Sequence, residues 1–411
     1  MQILIIAYVL PEPKSTGSGA RMMELIHLFL GQGWSVHLAS PAQATDYSED
    51  LNVLGIETSE ISVNNSNFDD FIAKMNPNIV LFDRFVMEEQ FGWRAAKQCP
   101  KAMRILETID LHCLREARHQ QTKRTHAVAL EPEKMDLYSD IALREIASIY
   151  RSDLSLLISD HEIAVLDKYF SIPNHILHLC PFMLQPLQKI TPEFSGRQNF
   201  LSIGNFRHAP NWDSVLWLKQ EIWPLIRAKL PKVELHIYGA YIPPKATALH
   251  NAREGFLIKG RAEHVHEVMR QARINLGPLR FGAGIKTKLA DAMLTGTPSV
   301  TTSVGIEGMT GGLPWGGAIA DDAQGIADAA VALYQNEQAW LQAQQHGMVI
   351  LRSLFDPLKN GQALLARIKY VIENLQAHRL NNFTGQMLNY HHHRSTEFMS
   401  RWIEAKNKAT G

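Results

Sequence analysis

Two stretches of this chain open in the same way, and that pairing limits the fold more than any other feature. Residues 3–10 form a continuous apolar run, ILIIAYVL, followed by a loop, Pro11–Gly19. A helix is expected from about Ala20 to Gln32, ended by Gly33, and then a strand from Ser35 to Ala39. Phe200–Gly204 starts a second such series. The loop Asn205–Asn211 (NFRHAPN) feeds a helix containing Asp213–Trp217, and a strand follows at Val233–Tyr238. A strand that is apolar along its length is one buried on both faces, which is the habit of parallel sheets. Strand, loop, helix, strand is one βαβ unit. Between the two series, residues 181–198 (PFMLQPLQKITPEFSGRQ) break the pattern with prolines and polar side chains, as a linker does. An α/β chain with two Rossmann-like domains facing each other across a cleft is the expectation. The boundaries are 1–190 and 191–375, with a helical segment at 376–411. A length of 411 residues suits two domains.

Composition removes several classes. Formal net charge is zero, so no global field points to nucleic acid. Cys99, Cys113 and Cys180 are an odd, sparse set, which favours a reducing compartment over a disulfide framework. Their spacing does not suggest zinc. The N-terminus, MQILIIAYVLPEP, lacks a basic region and ends in prolines, so it reads as a buried strand and not as a signal peptide. No apolar run is long enough to span a bilayer. A cytoplasmic protein is expected, with peripheral contact at a membrane face left open.

The chemistry concentrates in residues 278–309, PLRFGAGIKTKLADAMLTGTPSVTTSVGIEGM. Gly282 and Gly284 mark a tight loop that lets backbone approach a ligand closely. Ile285, Leu289, Ala292 and Met293 lie at helical spacing. Gly296 and Pro298 stop the helix, and Ser299–Ser303 reads as a strand. Lys286 and Lys288 fall at the helix start, where the dipole disfavours cations. A bound phosphate would resolve that conflict. Two other strands point to the same end of a sheet. Ile79–Phe82 is followed by Asp83 and Arg84; Arg104–Glu107 leads to Asp110 and His112, with Arg115 beyond. Ligands collect at such carboxyl edges. Gly17 and Gly19 sit in the first loop, without full dinucleotide-fingerprint spacing, and a plain tight turn would use the same residues.

The wording of 278–309 resembles the donor segment of retaining glycosyltransferases of the two-domain GT-B fold, family 4 (group 1), in the branch with a GAGVKGK-like loop. The matching residues are Gly282-Ala283-Gly284-Ile285-Lys286-Thr287-Lys288, Asp291, Gly296-Thr297-Pro298 and Gly305-Ile306-Glu307-Gly308-Met309. Asn205–Asn211 resembles that family's "vGnfrhpPN" stretch, and Asp110-Leu111-His112 with Arg115 resembles the sequence beside the reacting sugar. This resemblance implies α-retaining transfer from a nucleoside-diphosphate sugar to a hydroxyl on a glycan, lipid-linked or other acceptor. It implies no cofactor, with the departing phosphate oxygen deprotonating the acceptor. Gly17, Gly19, Arg207, His208, Gly282, Gly284, Ile285, Lys286, Lys288, Asp291 and Glu307 would bind the donor. His112, Asp110 and Lys286 would carry catalysis, and Arg21 fits the residue that often follows the glycine loop. A metal is not implied, and no Asp-x-Asp pair occurs. Asp291 would hold the ribose hydroxyls, while Ala283 stands where many members carry a first glutamate. The last helix would return to the first domain, with Phe398, Met399, Trp402 and Ile403 as its docking face. Two alternatives stay open: a nucleotide-sugar-binding subunit without turnover, and a GT-B-fold nucleotide-sugar epimerase.

Overall fold

The structure, a computed structural model, describes residues 1–130, 132–185 and 193–410. Among these, the first domain carries a seven-stranded sheet in the order β3-β2-β1-β4-β5-β6-β7. Its strands are β1 (Gln2–Ile6), β2 (Ser35–Ser40), β3 (Glu57–Glu60), β4 (Ile79–Asp83), β5 (Met103–Glu107), β6 (Leu154–Leu157) and β7 (Leu177–Leu179). The second sheet has six strands in the order β10-β9-β8-β11-β12-β13. These are β8 (Gln198–Ile203), β9 (Leu235–Tyr238), β10 (Phe256–Gly260), β11 (Ala272–Gly277), β12 (Ser299–Thr301) and β13 (Gly317–Ile319). All neighbouring strands run parallel. The expected α/β, two-sheet architecture is what forms.

The apolar run at the N-terminus shows why. Side chains alternate across a strand. Leu4 and Ile6 join one core cluster while Ile3 and Ile5 join the cluster on the other face. All four are fully buried, so both faces of β1 need cover. The helix Gly17–Leu30 covers one face with Leu25, Ile26 and Phe29. Phe68 and Phe91, from the helices Asn67–Met75 and Arg84–Gln98, cover the other. Strand β1 stops at Ile6, earlier than its apolar run, and Tyr8 and Val9 emerge at the sheet's carboxyl edge as exposed side chains.

In each sheet the strand order reverses once, between β1 and β4 and between β8 and β11. Crevices outside the strand ends at such points are where open α/β sheets bind ligands. The Gly17 loop follows β1, Asp83-Arg84 ends β4, NFRHAPN follows β8, and the 278–286 loop follows β11. Each segment singled out in the sequence therefore borders a reversal point, apart from Asp110 and His112, one strand over at the end of β5.

Two expectations need correction. The return to the first domain begins before residue 375. The helix Pro357–Glu373 already buries Leu364, Leu365, Ile368 and Val371 in the first-domain core beside Leu25 and Ile26. At about 1.5–3 kcal/mol per buried side chain, this helix contributes a substantial part of that core. The docking face of the last helix, Phe383–Thr410, is also not the expected one. Phe398, Met399 and Trp402 are exposed, and Ile403 is only partly covered. Polar residues dock instead. Ser400 is buried and its Oγ accepts from Arg94 Nη2 at 3.1 Å; Asn389 Oδ1 accepts from Arg104 Nη1 at 3.2 Å. Glu397 accepts from Lys97 at 2.8 Å and Glu404 from Ser66 at 2.6 Å. Arg94 and Arg104 are buried on the first domain and must be hydrogen-bonded, which turns the polar face inward. The linker read at 181–198 lies partly outside the described residues.

Candidate active site

The 278–286 loop is gripped by the first domain. Gly284 adopts φ +63, and a Cβ there would stand 2.9 Å from Asp110 Cβ and 3.2 Å from the Ile109 carbonyl oxygen. Only glycine meets both the left-handed backbone and the close approach. Gly17 touches Thr287 of the facing domain closely enough to leave no room for a side chain. The start of the helix Gly17–Leu30 thus meets the start of the helix Thr287–Leu294 across the cleft. Gly19 instead packs on the backbone of Glu12 within its own domain.

The helix begins at Thr287, so Ile285 and Lys286 precede it and Lys288 is its second residue. Ile285 is buried with Ile158. Lys286 is also buried, and its Nζ donates to the Gly284 carbonyl at 2.6 Å, bracing the loop. Burial drives its pKa down, against the opposing pull of Glu307. Lys288 lies on the cleft wall, and its Nζ donates to the neutral amide oxygen of Asn211 at 2.7 Å. Burial alone lowers its pKa to about 8. Among the described residues no carboxylate pairs with this ammonium, at a helix start that itself favours anions.

Glu307 is already engaged. Its two oxygens accept from Arg118 Nη1 and Nη2, each at 2.6 Å, and Arg118 Nη1 also donates to the Gly282 carbonyl at 2.8 Å. Arg118 is wholly buried on the helix His112–Thr125. It therefore ties the first domain to both ends of the donor segment, and the sequence reading did not single it out. On that same helix His119 stacks on Phe281 at 4.4 Å, and the Thr122 hydroxyl donates to the Arg280 carbonyl.

Asp110 and His112 stand beside this loop. Burial would raise the Asp110 pKa, but the guanidinium of Arg115 and then His112 outweigh it and hold the carboxyl well below its usual range. His112 Nδ1 faces the Asp110 carbonyl oxygen at 3.1 Å and Glu145 Oε1 at 3.2 Å. Both are acceptors, so Nδ1 carries a proton toward them and Nε2 is the ring nitrogen left for a ligand. Glu145 and Glu162 accept from the backbone N–H groups of Leu111, His112 and Cys113. Those carboxylates cap the helix start. Burial pushes Glu162 up to about 8. Ile109 has φ +65, and a β-branched residue there costs roughly 1–3 kcal/mol. Arg84, at the end of β4, has φ +70 and lies over the Tyr8 ring at 4.9 Å.

From the second domain, His208 keeps its surface accessible while the cleft walls crowd it. That crowding, then Arg115, lowers its pKa to about 4, with Lys288 and Arg84 acting the same way. Arg115, Lys288, Arg84 and His208 thus share one region of positive potential. Arg207 stacks on Tyr241 at 3.6 Å, and the Tyr241 hydroxyl donates to both oxygens of Glu12 in the first domain. Asp291 Oδ1 lies 3.2 Å from His266 Nε2, with part of its carboxylate open. Arg21 is away from the cleft, buried against Glu107 and Glu24.

Residues 197–336 match the family model described as glycosyl transferases group 1. The solved structures that superpose on the chain include a sucrose-phosphate synthase from Thermosynechococcus elongatus (TM-score 0.65, 14% identity, 90% of this chain and 99% of that one). A glycosyltransferase from Rickettsia africae gives a TM-score of 0.66 at 12% identity over 91% of this chain and 99% of that one. The Anabaena protein HepE, in complex with UDP and glucose, gives 0.63 at 12% identity over 89% and 99%. An uncharacterized 44.6 kDa protein of the cps region of Klebsiella pneumoniae is 26% identical over 163 residues, which is 38% of this chain and 40% of that relative. The resemblance to group 1 glycosyltransferases and the GT-B fold, both read from the sequence, are borne out.

Proposed function

We propose that this chain transfers a sugar, with retention at the anomeric carbon, from a nucleoside-diphosphate sugar to an acceptor hydroxyl in glycan or polysaccharide assembly. The observation that carries the reading is Lys288. It is a crowded ammonium whose partner among the described residues is a neutral amide, placed where the helix starts of two domains meet. A diphosphate there offsets the charge and accepts from free backbone N–H groups at those starts. The sugar–phosphate C–O bond breaks, the acceptor oxygen bonds the anomeric carbon, and the acceptor proton passes to the departing phosphate oxygen. The surrounding cations, Lys288, Arg115, Arg84 and Lys286, stabilise the charge that develops on the diphosphate. We propose on that basis that the reaction needs neither divalent metal nor cofactor. His112 Nε2 faces the donor sugar as a hydrogen-bond partner, Asp110 and Arg115 fix that wall, and Asp291 accepts from the ribose hydroxyls. Matching neighbours such as HepE, which binds UDP and glucose, support a nucleotide-sugar donor.

The test is incubation of the protein with a panel of nucleotide sugars. Slow release of free nucleoside diphosphate, accelerated by an acceptor, is the expected result. Isomerised sugar without release points to an epimerase, and saturable binding without either points to a binding subunit. Each of those two outcomes overturns the proposal.

A further inference from the structure

We propose that the outward face of the helix Phe383–Thr410 docks on an anionic lipid bilayer. This surface lies apart from the cleft and goes beyond the transfer reaction. The helix is inverted: its polar side is its inner side, held by the Arg94–Ser400, Arg104–Asn389, Lys97–Glu397 and Ser66–Glu404 contacts. The opposite side presents Phe383, Met387, Tyr390, Phe398, Met399 and Trp402. Phe383 is 76% exposed, Phe398 67% and Trp402 60%, values that belong to no packed face. Positions 383, 387, 398 and 402 fall on one side of the cylinder at 100° per residue. Surface residues of this size normally occur singly, and two groups of them on one side of one helix mark a docking site.

Charge selects the occupant. The segment from 383 to 410 carries four basic residues, Arg394, Arg401, Lys406 and Lys408, against two acidic ones. Glu397 and Glu404 reach inward to Lys97 and Ser66 and also pair with Arg401 at 2.5 Å and Lys408 at 2.9 Å, so the segment keeps two net positive charges. Arg401, Lys406 and Lys408 are exposed on the flanks of the apolar row, with Lys406 Nζ 5.3 Å from the Trp402 ring. Aromatic and sulfur side chains between cationic flanks, over a helix of low mean hydropathy, are the pattern of a helix that lies in the bilayer interface. Against a second copy of the same face those cations would repel. No helix among the described residues is long and apolar enough to cross a membrane, so this contact is one of lying on the surface. The helix Arg84–Gln98 runs from the cleft at Arg84 to Arg94 and Lys97 beneath the docking helix. At 1.5 Å per residue the cleft is roughly 15–20 Å away along that helix.

The test is flotation of the full chain with vesicles of phosphatidylcholine alone or with about one-third phosphatidylglycerol. The chain should float with the anionic vesicles and not with the neutral ones. F398S/W402S should lose on the order of a hundredfold in vesicle affinity, with its circular dichroism melt unchanged because both side chains are solvent-facing. K406E/K408E should lose about tenfold or more, and added salt should mimic it. The inference is overturned if the native chain stays with the soluble fraction. It is also overturned if F398S/W402S floats like the native chain, or if sedimentation finds a dimer that this double variant dissociates. None of these readouts requires glycosyl transfer.

Discussion

The Arg118–Glu307 pair makes a quantitative demand on how the two domains hold the donor loop. Glu307→Gln leaves a fully buried guanidinium facing a neutral amide. Removing one partner of a buried ion pair costs about 3–5 kcal/mol. Glu307 keeps 16% of its side chain accessible, so roughly 2–4 kcal/mol is the appropriate range here. Arg118→Met breaks both 2.6 Å bonds and the bond to the Gly282 carbonyl, but Glu307 can turn to water and to His161. That change costs about 2–3 kcal/mol. The double variant leaves no buried charge and should cost less than the sum, with a coupling energy of about 1–3 kcal/mol. Urea unfolding of all four proteins measures it, provided the slopes agree. Costs that add within about 0.5 kcal/mol would refute the reasoning, because residues in contact do not behave so. Arg118→Met should in addition raise the KM for the donor more than it lowers kcat, since the freed loop costs binding before it costs chemistry.

Other expected outcomes concern the site itself. Lys288→Met should weaken nucleoside diphosphate binding about 10–100-fold by calorimetry while raising stability at pH 7 by about 1–3 kcal/mol. The folded pKa near 8 lies below the ordinary 10.5. The unfolded chain therefore binds more protons between those values, and the advantage over the native lysine is full below pH 8 and fades as pH rises to 10.5. A stability difference that grows across that window would contradict the burial argument. Lys286→Ala should weaken diphosphate binding strongly and bare nucleoside binding little; equal losses would make it a structural brace only. His112→Ala should lower turnover about 10–100-fold with nucleotide affinity nearly intact, and parallel losses in both would count against contact with the sugar. Asp291→Asn should reduce donor affinity in the folded protein; a loss of melting temperature alone would assign Asp291 to the fold.

Much of the architecture could be read from runs and breaks. Continuous apolar stretches located β1, β4 and β8 because both faces of a parallel strand are covered. Short or polar strands such as β3 (ETSE) and β7 gave no comparable signal. Glycines and lysines located the donor loop, but not the exact helix start, since capping geometry moves a boundary by a residue or two. Arg118 was illegible. It sits in HCLREARHQQ, which reads as a solvated helix, and its partner lies 189 positions away. The face of the last helix was misread for a related reason. An apolar stripe says which side prefers to be covered, but buried Arg94 and Arg104, on a helix and a strand of the first domain, decided which side is.

The helix Pro357–Glu373 carries a consequence for how the molecule is made. Leu364, Leu365, Ile368 and Val371 complete the core beneath β1, yet they leave the ribosome some 180 positions after the first-domain segment ends at Met183. At 5–20 residues per second, the first domain waits roughly 10–35 s with one side of its sheet only partly covered. During that wait the second domain, whose strands are contiguous in the chain, can already close. Synthesis order and folding order are then inverted, and the N-terminal half is the part that most needs protection while it is being born.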